Sequence, residues 1–259
     1  MRCASLALAL LLAVPAAAVA AAPTPAPPRE SMRIFGAVIP PLSFMRDGTP
    51  TGYCVDLAHE IQRRIKDRTR VELLPWARAY RLAVDGANIM LICPKRTPER
   101  EPLFRWVGPV LESQSVVYAL RSSRLRLGNL ADLRALDGVL VPRDFYTHQY
   151  LRIAGFTNLD PVNSSQTMLA MLLAGRRKAM VLDREQLPFL LRQAGVSADV
   201  VEPVLRVMTI HSYFAFPLYA PDALVAQWQQ ALDQMRRDGT LLRIHRNWFP
   251  DLADSTAHR

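Results

Sequence analysis

Leu91-Ile-Cys-Pro-Lys-Arg-Thr-Pro-Glu-Arg-Glu101, followed by Phe104-Arg-Trp-Val-Gly-Pro109, is the stretch from which the fold is read. An apolar strand runs out into a basic turn, which presents Arg100 at the carboxyl end of a sheet, where open α/β sheets place their ligands. A planar guanidinium there suits bidentate capture of a carboxylate, which a lysine holds only as a point charge. Taken alone, the segment reads equally as a surface turn with solvated charges.

Upstream, strand and helix signals alternate. Arg33 to Val38 reads as a strand ending at Pro40-Pro41, and Asp47-Gly48-Thr49-Pro50 as a turn. Val55, Leu57, Ala58, Ile61 and Ile65 recur at helical spacing, with His59, Glu60, Arg63 and Arg64 on the other face. Val71 to Leu74 is the next strand, Trp76 to Asp85 a helix closed by Gly86, and Ile89 to Ile92 the strand that enters the Arg100 turn. Downstream, strands are expected at Val116 to Leu120, Val139 to Val141, Ala179 to Leu182 and Tyr213 to Leu218. Helices are expected at Leu130 to Leu136, Phe145 to Ala154, Thr167 to Leu173, Phe189 to Ala194, Leu224 to Met235 and Leu241 to Trp248. The alternation predicts an α/β fold with parallel, doubly wound sheets.

The beginning of the chain sets the expected compartment. Met1-Arg2 is a positive start, Leu6 to Val14 is continuously apolar, and Ala18-Val19-Ala20 has the small-x-small pattern of a cleavage site. Residues 1–20 are therefore expected to be a removed secretory signal, 21–31 a flexible Pro-rich lead-in, and 251–259 a disordered tail. Half of the residues are apolar, enough for a real core. The formal charge of +9 (32 minus 23) arises from scattered basic residues, with no arginine-rich run or zinc spacing. That distribution favours small anionic ligands or a merely basic surface, and argues against nucleic acid and resident metals. After cleavage only Cys54 and Cys93 remain, which in an oxidising compartment are either a disulfide or two buried thiols.

The pattern as a whole resembles the family 3 periplasmic solute-binding proteins. Four pieces carry the resemblance: Pro40-Pro41-Leu42-Ser43-Phe44 with Gly52-Tyr53-Cys54-Val55-Asp56-Leu57; Arg96-Thr97-Pro98-Glu99-Arg100-Glu101; Gly175 to Asp183; and Asp238 to His245 with Trp248-Phe249. The resemblance implies a two-lobed, periplasmic-binding-protein-like type II fold, each lobe a doubly wound sheet, joined by two hinge strands. Lobe 1 would comprise 32–118 and 214–250, and lobe 2 would comprise 119–213. It further implies a monomer without cofactor, holding an amino acid or organic acid for an ABC permease in the inner membrane.

By the same resemblance Arg100 matches the arginine that clamps a ligand's α-carboxylate, and Asp183 the second-lobe aspartate that accepts from the α-ammonium. Asp183 reads alternatively as the N-cap of a helix at Arg184-Glu185-Gln186. Trp76 falls at an aromatic wall, or is a plain core tryptophan beside Pro75. The chain departs from the family pattern in three places. Ile39 replaces a stacking aromatic, Cys93-Pro94-Lys95-Arg96 replaces small hydroxyl residues, and Arg143-Asp144-Phe145-Tyr146 replaces a glycine followed by a hydroxyl, which Thr147 restores in part. Lys95, Arg96, Tyr146 and Thr147 thus join the candidate ligand-binding residues, and the basic mouth makes an anionic solute credible. Two alternatives keep the same fold. One is an enzyme such as a cyclohexadienyl dehydratase, with Glu99, Asp144, Glu185 or His148 as acid or base; the other is a ligand-loaded partner of a membrane sensor. The isolated histidines and the lack of a Ser-His-Asp set favour binding over catalysis.

Overall fold

In the computed structural model the described residues are 32–86, 88–250 and Leu252. The expected signal, the whole of the lead-in and all of the tail except Leu252 lie outside them. Among the described residues ten strands and eight α-helices follow one another. The first half comprises β1 (Arg33–Ala37), β2 (Phe44–Arg46), β3 (Thr49–Thr51), α1 (Tyr53–Ile65), β4 (Val71–Leu74), α2 (Trp76–Val84), β5 (Ile89–Leu91) and β6 (Phe104–Leu120). Then come α3 (Leu130–Arg134), β7 (Val139–Pro142), α4 (Tyr146–Ile153), β8 (Leu159–Val162), α5 (Ser165–Leu173), β9 (Ala179–Asp183), α6 (Leu187–Gln193), β10 (Val201–Pro217), α7 (Asp222–Arg237) and α8 (Thr240–Trp248).

Eight strands form one sheet in the order β4-β1-β5-β10-β6-β9-β7-β8. Its two ends are parallel, as the alternating pattern requires: β1 lies between β4 and β5, and β7 between β8 and β9. The middle is antiparallel. The 17-residue strands β6 and β10 pair from Phe104–Pro217 to Leu120–Val201, with three register shifts along the way. Sequence reading found only one end of each, because Gly108-Pro109, Pro203 and the exposed residues between interrupt the apolar run. A residue on a strand that is half solvated and bulged gives no steady period of two. The hairpin β2–β3 and the strand β8 are also additions. They are three and four residues long, and β8 has no buried residue, so its pattern carries little signal.

The apolar residues separate into two groups of clusters. One gathers residues 34–111 with 214–249 around Phe35, Leu57, Ile61, Met90, Phe214 and Trp228. The other gathers 116–201 around Val117, Leu140, Leu169, Leu172 and Val181. Helix α1 shows how pattern becomes packing. Its buried face is Tyr53, Cys54, Val55, Leu57, Ala58, Ile61 and Gln62, and it stops where Lys66 adopts a left-handed conformation. Cys54 at its start is disulfide-bonded to Cys93, just after β5, with 6.0 Å between the Cα atoms.

Candidate functional site

The parallel strands at both ends of the sheet deliver their carboxyl ends to a common place. β4 leads to Trp76, β5 to Cys93-Pro94-Lys95, β7 to Phe145-Tyr146, and β9 ends at Asp183. A small cavity of about 30 Å³ lies there, lined by Ile39, Leu42, Trp76, Lys95, Arg100, Phe145, Tyr146, Asp183 and Gln186, with the backbone turn at Cys93-Pro94. That volume has room for a water or two, so a small organic guest enters only when the two walls move apart.

Arg100 is the charge that stands out. The turn that carries it is closed by hydrogen bonds from the Arg100 and Glu101 amides to the Thr97 carbonyl, at 3.0 and 2.9 Å. Its side chain is 4% exposed and lies 4.8 Å from the Trp76 ring centroid and 5.1 Å from that of Tyr80, and these two rings stack on each other. One guanidinium nitrogen donates to the Lys95 carbonyl at 3.2 Å. Among the described residues no carboxylate forms an ion pair with it. Burial presses its pKa downward, yet an arginine stays protonated at any physiological pH. The result is a fixed cation on an aromatic bed, with donors left for a guest.

Lys95 does the opposite and is fully engaged. The segment Pro94 to Arg96 runs beside β10, with the Tyr213 amide donating to the Pro94 carbonyl and the Arg96 amide to the His211 carbonyl, both at 3.1 Å. Alternation along this extended piece sends Lys95 inward and Arg96 outward. The Lys95 ammonium donates to Ser113 Oγ and lies 3.5 Å from Asp183 Oδ2 and 3.6 Å from Glu185 Oε1. The Arg96 side chain pairs with Glu101 over Trp106 and Tyr213 and does not line the cavity.

Asp183 lies opposite Ser115 in the antiparallel β6–β9 register, and that pairing makes its environment. Its Oδ1 accepts from Ser115 Oγ at 2.8 Å and from the Tyr146 hydroxyl. Ser113, two residues before Ser115, faces the same way and donates to Glu185. Glu185 is buried, and desolvation together with the charge of Asp183, opposed by Lys95, pushes its pKa up to about 7. Asp183 supplies no side-chain cap: the next helix is capped from Gln186, whose amide donates to the Asp183 carbonyl.

Of the residues singled out in the sequence, Arg100, Asp183, Trp76, Lys95 and Tyr146 meet at the cavity. Thr147 is buried on α4 behind the wall, and Arg96 points elsewhere. Sequence reasoning missed Tyr80, Ser113 and Ser115. Ser-x-Ser on a strand was a readable signal, since period-two spacing puts both hydroxyls on one face; Tyr80 is one helical turn from Trp76. A wider depression beside the long strands, lined by Tyr53, Arg184, Arg206, His211 and His245 among others, is open to solvent. The enclosed cavity with its unpaired buried cation is the stronger candidate.

The model of the bacterial extracellular solute-binding proteins, family 3, matches residues 34–251. Among curated proteins none is significantly similar in sequence. A histidine kinase sensor domain with similarity to periplasmic binding proteins superposes with a TM-score of 0.76 at 22% identity, over 84% of this chain and 95% of that one. The arginine-, lysine-, histidine-binding protein ArtJ of Geobacillus stearothermophilus gives 0.73 at 17%, over 85% and 96%. The ancestral amino acid-binding protein AncCDT-1, a precursor of cyclohexadienyl dehydratase, gives 0.70 at 20%, over 84% and 95%. At these identities the likeness concerns the fold, a two-lobed type II periplasmic binding architecture.

Proposed function

Since the chain belongs to the family 3 bacterial extracellular solute-binding proteins, we propose that it captures a small carboxylate-bearing solute, an amino acid or related organic acid, between its two lobes. The lobes in this reading are 32–118 with 214–250, and 119–213. The separated apolar clusters support that division, with Val116 to Tyr118 at the crossing packing on the second side. The protein works as a monomer in the periplasm, after removal of residues 1–20, and hands its solute to an ABC permease.

One observation carries the reading: Arg100 is buried on Trp76 and Tyr80, has no carboxylate partner among the described residues, and opens onto a cavity walled from both sides. A buried charge without a partner is costly, and a ligand carboxylate supplies one. Binding without turnover fits the placement of Glu185, which is tied to Ser113 and Lys95 and does not line the cavity. A thermal-shift screen over amino acids and organic acids tests the proposal, because a ligand of the native form raises the melting temperature. A hit that binds Arg100→Ala as tightly as the wild type would contradict it. The superposable sensor domain supports a second output for the same capture, docking of the loaded protein on a membrane sensor. Pull-down of membrane extracts with and without the hit separates the two outputs by whether a permease or a kinase is retained.

A further inference from the structure

The wall opposite Arg100 bears on which carboxylates the cavity accepts. An α-amino acid brings an ammonium as well as a carboxylate, and that ammonium needs an anionic acceptor inside the closed site. The lining offers one anion, Asp183. Its Oδ1 already accepts two hydroxyl hydrogen bonds, from Ser115 and Tyr146, and its Oδ2 faces Lys95 at 3.5 Å. Lys95 is 7% exposed; its ammonium donates to Ser113 and pairs with Asp183 and Glu185. The protein thus carries its own ammonium at the acidic wall, while Arg100 is the charge left without a counterion. Besides Tyr146 and Gln186, the remaining lining is Ile39, Leu42, Trp76, Phe145 and the Cys93-Pro94 turn, surfaces suited to an apolar body.

We infer that the cavity selects a monocarboxylate with an apolar body and no α-ammonium, because Lys95 fills the place on Asp183 that a ligand's ammonium would take. The carboxylate is held by Arg100, and the apolar part lies against Ile39, Leu42 and Phe145. A second cation brought in by the ligand would meet the Lys95 charge and find no lining carboxylate without a cation of its own, whereas a simple carboxylate supplies the counterion that Arg100 lacks. This inference rests on the Arg100 assignment of the proposed function and narrows its ligand class.

Titration calorimetry with matched pairs tests it: propanoate against L-alanine, 4-methylpentanoate against L-leucine, and 3-phenylpropanoate against L-phenylalanine. In the wild type the des-amino member of the favoured pair is expected to bind about 10- to 100-fold more tightly. Lys95→Ser, which uncovers Asp183, is expected to reverse that order, and Arg100→Ala to weaken binding of both members by about 30-fold or more. If the variant at Lys95 does not fold, the wild-type ratio decides alone. L-Amino acids binding the wild type as tightly as their des-amino partners, with dependence on Arg100, would overturn the inference and leave the proposed function standing. Absence of binding by every compound, or binding indifferent to Arg100→Ala, would overturn both.

Discussion

Two buried side chains, Arg100 and Glu185, differ in how their charge is met. Arg100 waits for a partner, so its truncation removes the cation the ligand needs. Arg100→Ala should weaken binding by about 2–5 kcal/mol, the cost of stranding a buried charge. Arg105→Ala should change it little, since Arg105 is held by Asp222 and the Ala220 carbonyl away from the cavity. Calorimetry on both variants with the screening hit checks this contrast. Glu185 has the reverse problem, a carboxyl buried beside another carboxylate, with its pKa raised from 4.5 to about 7. When the folded pKa lies above the unfolded one, the contribution to stability is complete below the unfolded value and is lost as pH climbs through the folded value. The wild type should therefore lose up to a few kcal/mol relative to Glu185→Gln between pH 4.5 and 7. His148 and His245, whose pKa values burial lowers, shift stability the other way in part of that window. They are common to both proteins and cancel in the difference between the two melting curves. A difference that stays constant across the window would disprove the assignment.

At the scale of elements, the near wall of the cavity depends on how α1 and the β5 turn are fixed. The disulfide from Cys54 to Cys93 closes a loop with a sequence separation of 39 residues and ties the start of α1 to the residue two before Lys95. Loop-closure entropy gives such a bridge about 2–4 kcal/mol. Replacing both cysteines by alanine should lower the unfolding free energy in urea by that amount, and an unchanged midpoint would show that packing alone holds the turn. Entry to α1 is set by Gly52, at φ +127°, where an added Cβ would stand 2.5 Å from the Leu42 carbonyl oxygen. Gly52→Ala must therefore shift backbone that also carries Leu42 into the cavity wall. It should cost about 1–3 kcal/mol of stability and weaken ligand binding as well, which thermal melts with and without the hit would show.

At the scale of the whole molecule, contacts link the two sides of the cavity. Lys95 reaches Asp183 and Glu185, and Phe44 of β2 packs on Phe189 of α6 with centroids 5.3 Å apart. In the proposed reading closure and binding are one equilibrium, so weakening the closed form should reduce apparent affinity. Phe189→Ala should enlarge the ligand-free radius of gyration in solution scattering, and saturating ligand should restore the wild-type value. Equal radii for both ligand-free proteins would remove Phe189 from that role. The amino-acid sequence alone determined the alternating α/β order, the helix α1 with its buried face, and the presence of Arg100 and Asp183 at strand ends, because these follow from local periodicity and motif spacing. It also supplied the right two cysteines while leaving their pairing open, since spacing does not place two sulfurs in contact. The long antiparallel strands, the inward turn of Lys95 against the outward turn of Arg96, the bed of Tyr80 beneath Arg100, and the hydroxyls that donate to Asp183 Oδ1 were decided only by tertiary structure. Each depends on which residues from distant parts of the chain become neighbours across the sheet, and a burial that neutralises one cation while leaving another unmatched exists only once those neighbours have met.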